Sequence, residues 1–125
     1  MVVPHLHFNG ECLQAMKLYA KAFSATINKI IFIEDEKPEK GILHAEMTIH
    51  GQRVMFNDNK SEICSADFPF AQLVVTFAND EELKKSYEIL KNENGIVCSM
   101  KATDYTSCTV GFWDIYGIRW SFMVE

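Results

Sequence analysis

Two seven-residue stretches of this chain lie on each other without a gap: His50 to Phe56, HGQRVMF, and Tyr116 to Phe122, YGIRWSF. Gly51 meets Gly117, Arg53 meets Arg119, and Phe56 meets Phe122. The order of elements ahead of each stretch is also repeated. A strand ends in Phe8 or Phe77, a helix with a central Tyr19 or Tyr87 follows, and a strand and a hairpin come after. A repeated supersecondary unit restricts the fold strongly, because each copy must bury its apolar face in the same way. The repeat spans 1–58 and 70–125, joined by a linker over 59–69, and 125 residues suit one domain. Two βαβββ modules predict an α+β fold of eight mostly antiparallel strands. Each helix lies on the outer face of its own sheet, and the sheets curl around a central cleft, a common place for a ligand.

The first module is clearest in Pro4 to Phe23, PHLHFNGECLQAMKLYAKAF. Leu6 and Phe8 alternate with His5 and His7, the period of a strand. Asn9-Gly10 is turn chemistry and is expected to cap the helix that follows. Cys12, Ala15, Met16, Tyr19, Ala22 and Phe23 recur three and four apart, so they form one buried stripe. Ile27 to Glu34 reads as a strand and the charged DEKPEKG segment, Asp35 to Gly41, as a solvated loop. Leu43 to His50 alternates cleanly and pairs back on Arg53 to Phe56 as a hairpin. In the second module Phe70 to Phe77 is apolar enough to predict a strand covered on both faces. Asn79 is placed to cap the second helix, with an acidic first turn that suits the helix dipole, and Asn94-Gly95 is expected to end it. Ile96 to Met100 reads as a strand, Lys101 to Thr106 as irregular, and Cys108 to Asp114 with Ile118 to Val124 as a hairpin.

Charge narrows the function. A formal net charge of −5, with no cluster of Lys or Arg beyond pairs such as Lys84-Lys85, argues against a nucleic-acid partner. No apolar run approaches the roughly 18 residues of a membrane helix, and MVVPHLHF is not a secretory leader, so a cytoplasmic location is expected. Cys12, Cys64, Cys98 and Cys108 show no CxxC spacing and read as free thiols rather than as disulfides or a zinc site.

Several residues are candidates for lining the cleft. His5 and His7 share a strand face, and His titrates near neutrality; which face turns to the cleft is undetermined, because a shift of one residue swaps them. His44 and Glu46 share another face and can do acid–base work as a pair, although a plain polar outer face explains them too. Phe56 and Trp113 suit a cleft wall or the core. Gln72 and Ser121 are further candidates for the cleft. Arg53 and Arg119, equivalent in the two modules, can clamp an anion or simply point to solvent.

The pieces PHLHFNGECLQAMKLYAKAF, ILHAEMTIHGQRVMFNDN and YGIRWSFMV resemble the vicinal oxygen chelate superfamily, the glyoxalase and bleomycin-resistance fold, and within it the PhnB-like branch. That resemblance spans nearly the whole chain and implies the glyoxalase-like fold and a homodimer. It leaves the activity open, since the superfamily includes isomerases, dioxygenases, thiol transferases and drug binders. Some of the branch carry the description demethylubiquinone methyltransferase, yet this chain has no Gly-rich nucleotide loop and is short for a cofactor-binding methyltransferase. The metal-dependent members take His and Glu ligands from the first and last strands of each module. Here the first strand offers His5 or His7, but the other positions hold Met55, Phe56 or Asn57, then Gln72, Leu73 or Val74, then Ser121, Phe122 or Met123. A catalytic ion needs three ligands or more. The expectation is therefore a metal-independent small-molecule-binding protein without a cofactor. The alternative is a metal-dependent lyase, isomerase or thiol transferase of the glyoxalase or antibiotic-resistance type.

Overall fold

Alternation along the first strand sets the layout of the first module. Phe8 is buried while His5 and His7 are exposed, so one face of the strand is apolar and the other carries imidazoles. In the computed structural model, which describes residues 1–58 and 71–125, the chain divides into two units, Met1–Ser65 and Ala66–Glu125. The linker expected over 59–69, and residue 70 at the start of the expected strand, lie outside the described residues.

The first unit contains β1 (His5–Phe8), α1 (Cys12–Phe23), β2 (Thr26–Phe32), β3 (Ile42–Ile49) and β4 (Gln52–Asp58) in one sheet of order β1-β4-β3-β2. β1 runs parallel to β4, and the other two pairings are antiparallel. α1 packs its predicted stripe, Cys12, Ala15, Met16, Tyr19, Ala22 and Phe23, against the sheet. Facing it are Phe8, Ala45, Met47, Val54 and Phe56, all buried. Phe56 is fully enclosed, its ring 6.2 Å from that of Phe8 and 6.1 Å from that of Tyr19. It belongs to this core rather than to a ligand wall.

Asn9 does not cap α1. The residue at the cap is Glu11, which makes no side-chain capping bond. The N-terminal N–H groups are met instead by Asp58 at the far end of β4, whose Oδ1 accepts from Gly10 N at 2.8 Å and Cys12 N at 3.0 Å. Its Oδ2 accepts from Ile42 N at 2.8 Å, so one carboxylate fastens the first turn, the helix start and the start of β3. Gly41 permits this, since its φ is +102° and a Cβ there would meet Asp58 Oδ2 at 3.1 Å. The partner is 46 residues beyond Cys12, which no local capping rule can see.

The second unit repeats the plan with β5 (Leu73–Phe77), α2 (Asp80–Leu90), β6 (Ile96–Thr103), β7 (Thr106–Trp113) and β8 (Arg119–Val124), in the order β5-β8-β7-β6. β5 is parallel to β8 and the rest is antiparallel, so the two mixed sheets and two helices form the expected α+β pair of modules. Asn79 caps α2 as predicted, its side chain accepting from Glu82 N at 2.9 Å. Three predictions fail in instructive ways. β5 buries Val75 and Phe77 on one face, while Val74 on the other is 52% exposed. α2 ends at Leu90, and Gly95 serves a close approach, because a Cβ there would lie 2.2 Å from the carbonyl oxygen of Trp113. The stretch expected to be irregular is mostly strand: β6 runs on to Thr103, and Thr106, its buried hydroxyl 2.8 Å from Val124 O, opens β7.

Candidate functional site

Each sheet uses one face for its helix, and the other face of the first sheet collects the polar side chains. Parallel pairing sets His5 opposite Met55 and His7 opposite Asn57, while antiparallel pairing sets Glu46 opposite Met55 and Thr48 opposite Arg53. The odd-numbered residues of β1 and β4 and the even-numbered residues of β3 therefore share the face turned away from α1. The His5 and His7 rings stand 4.4 Å apart, centre to centre, and His5 meets His44 edge-on at 6.3 Å. His44 Nε2 donates to Glu46 Oε2 at 2.9 Å, and the other oxygen of Glu46 receives Arg53 Nε. His7 Nδ1 donates to Asn57 Oδ1 at 2.7 Å.

The electrostatics follow from these contacts. Arg53, then His44, hold the Glu46 carboxyl down at about 2, so it is charged at neutral pH. Burial, with His7 and His44 adding like charge, pushes His5 below the ordinary imidazole range and favours its neutral form. Glu46 fixes Nε2 of His44 as a donor, which leaves Nδ1 as the open nitrogen of the neutral ring. Asn57 does the same for His7 through Nδ1, leaving Nε2 open. The face can thus accept hydrogen bonds or a proton at oriented imidazole nitrogens.

Of the residues predicted to line a ligand site, His5, His7, His44 and Glu46 are brought together here. Phe56 is not, being in the helix-side core. Trp113 and Ser121 belong to the corresponding face of the second sheet, partly exposed, and Gln72 is exposed just ahead of β5. Sequence reasoning missed Asn57 as the partner of His7, although its i, i+2 spacing from Met55 along β4 placed it on that face. Among the described residues no three His, Cys, Asp or Glu side chains are disposed to share one ion. The last strands present Met55 and Asn57 in one unit and Ser121 and Met123 in the other, poor donors for a divalent metal. Among the described residues no helix is long and apolar enough to cross a membrane.

Comparison with known proteins agrees with this geometry. A family described as 3-demethylubiquinone-9 3-methyltransferase matches residues 1–123. No match is found among curated proteins. A PhnB protein from Bacillus cereus has a similar structure at TM-score 0.85 and 24% identity, covering 99% of this chain and 98% of that one. A glyoxylase/bleomycin resistance protein/dioxygenase domain from Frankia matches at TM-score 0.72 and 11% identity, covering 100% and 90%. The fosfomycin resistance protein FosX of Listeria monocytogenes matches at TM-score 0.70 and 10% identity, covering 100% and 92%. The structural neighbours share the fold of two βαβββ modules, and with a family match that spans all but the last two residues the chain belongs to the family described as 3-demethylubiquinone-9 3-methyltransferase.

Proposed function

We propose that this chain is a metal-independent small-molecule-binding protein of the glyoxalase/bleomycin-resistance type. One observation carries the reading. The helix-free face of the first sheet is built from oriented polar groups, His5, His7, His44 and Glu46, while the strong metal donors of the superfamily are replaced at the strand ends by Met55, Asn57, Ser121 and Met123. Glu46, the one carboxylate in the cluster, is already paired with Arg53 and hydrogen-bonded by His44, which suits hydrogen bonding better than metal ligation. A thermal-shift screen of aromatic, cationic and anionic compounds tests the proposal, because a ligand that binds only the folded chain raises its melting temperature. No stabilisation by any compound counts against it.

The rival reading is a metal-dependent lyase, isomerase or thiol transferase, favoured by the superfamily resemblance and by the first strand, which carries His5 and His7. Elemental analysis of protein purified without chelator, followed by trials with added Ni, Mn, Fe or Zn, separates the two. A stoichiometric metal that survives dialysis and is lost in the variant His5→Ala, His44→Ala replaces the first reading with the second.

A further inference from the structure

Internal duplication supplies a built-in control for one charged side chain. Arg53 and Arg119 occupy equivalent places at the start of the last strand of each module. Arg53 is matched by Glu46 on the neighbouring strand. In the second unit the residue facing Ser121, as Glu46 faces Met55, is Gly111. The carboxylate has been replaced by a hydrogen atom. Arg119 fills the space, its guanidinium laid against the glycine so closely that a Cβ on Gly111 would meet Nη2 at 3.1 Å and Nη1 at 3.2 Å. Only a long contact, Nη1 to Trp120 O at 3.4 Å, engages the group, and among the described residues it forms no ion pair. Arg119 is half-buried, so its charge is only partly hydrated.

Its neighbours point the same way. Trp113 pairs with Arg119 across the strands, Ser121 pairs with Gly111, and all lie on the face away from α2. The Trp113 indole N–H and the Ser121 hydroxyl make no hydrogen bond among the described residues. A single guanidinium matches one negative charge, and its planar fork fits the two oxygens of a carboxylate. One Arg leaves half of the charge of a phosphate dianion uncompensated. The half-exposed indole supplies a surface for a flat ring beside the charge.

We infer that the open face of the second sheet binds a small aromatic carboxylate, with Arg119 taking the carboxylate, Ser121 donating to it and Trp113 carrying the ring. The inference rests on the binding reading above and names the ligand class. Benzoate is the probe, with benzamide as its uncharged counterpart and inorganic phosphate as the competing anion. The full chain is titrated by tryptophan fluorescence and by NMR of the indole and arginine Nε–H resonances. Saturable benzoate binding that moves the Trp113 and Arg119 signals is expected, with benzamide and phosphate at least about tenfold weaker, the share a charge-assisted pair carries. Arg119→Met should weaken benzoate about tenfold or more, while Lys21→Met, which removes one charge from the solvent face of α1, should change it less than about twofold. Gly111→Glu should also abolish binding by giving Arg119 the internal partner that Glu46 gives Arg53; Arg119→Met serves if that variant does not fold. Equal binding of benzamide or phosphate, or an unaffected Arg119→Met, overturns the inference. Stabilisation by neutral or cationic aromatics with none by benzoate overturns it and leaves the binding reading standing; no ligand of any kind overturns both.

Discussion

Asp58 offers the sharpest test of how the first module holds together, and the perturbation is Asp58→Ala. The carboxylate receives three backbone N–H groups, from Gly10, Cys12 and Ile42, at 2.8, 3.0 and 2.8 Å. Those of Cys12 and Ile42 are buried, and each costs about 1–3 kcal/mol once its acceptor is gone. Gly10 is reachable by water, so its loss is about 0.5 kcal/mol. Removing a buried charge returns some desolvation energy and trims the sum, leaving about 3 kcal/mol. That is a large part of the roughly 5–15 kcal/mol that stabilises an ordinary domain. Asp58→Asn keeps an oxygen for Gly10 and Cys12 but turns an NH₂ toward the Ile42 N–H, so it should lose about 1–2 kcal/mol. Urea unfolding followed by circular dichroism measures both, and the expected order is wild type, Asn, Ala. An alanine variant within about 0.5 kcal/mol of wild type at an unchanged denaturant slope refutes the claim that this carboxylate caps α1.

Three further outcomes are expected. Phe56→Ala should lose about 3–5 kcal/mol in the same urea assay, because the ring is enclosed by Phe8 and Tyr19; near-native stability would place it outside the core. The Cys12 thiol, pushed up to about 12 by burial and by the charge of Asp58, should resist alkylation in the native chain at mildly basic pH and react only on unfolding, as read by mass spectrometry of digests; rapid native labelling of Cys12 would contradict its burial. The Glu46 carboxyl is held at about 2 in the fold against an ordinary 4.5, so the stability it contributes is complete above about 4.5 and is lost as pH falls toward about 2. Glu46→Gln should flatten the fall of the urea midpoint across that window, and a decline as steep as that of wild type would show that Arg53 and His44 do not act through it.

Much of the fold was legible because its signals are local. The α1 stripe, the Asn79 cap and the hairpin that holds Arg53 each follow from residues within a few positions of one another. What failed was what depends on distant chain. Asn9-Gly10 looked like a cap, but Asp58 already meets those N–H groups from the end of β4. Asn94-Gly95 looked like a helix stop, yet Gly95 answers to the Trp113 carbonyl, which only the β6–β7 pairing brings near. Phe70 to Phe77 reads as doubly covered because composition does not show which face of a strand is packed, and Val74 is exposed. For the candidate site, the alternation of His5 and His7 was plain while their facing was not. It is decided by Phe8, which packs under α1 and turns both imidazoles to the opposite side.

Position by position, the two modules differ on one face and agree on the other. Under the helices, Phe8 answers to Phe77, Phe56 to Phe122, Met47 to Phe112, and Tyr19 to Tyr87, large apolar or aromatic groups in every case. On the open faces the register sets His5 against Val74, His44 against Thr109 and Glu46 against Gly111, so a charged, imidazole-rich surface stands against a nearly neutral one. Packing explains the first set, since a void in a close-packed core is costly whichever module holds it. It does not explain the second. A solvated sheet face tolerates most polar residues at little cost, and nothing in the fold requires three imidazoles on one and a lone guanidinium over a glycine on the other. The difference therefore falls where the chain can vary without unfolding, and it falls unequally on two arginines at equivalent positions. Arg53 is paired with the carboxylate of Glu46; Arg119 lies over Gly111 without one among the described residues. That asymmetry is why charge-neutralising variants at Arg53 and Arg119 should differ: the first disturbs Glu46 and His44, the second the capture of an anion.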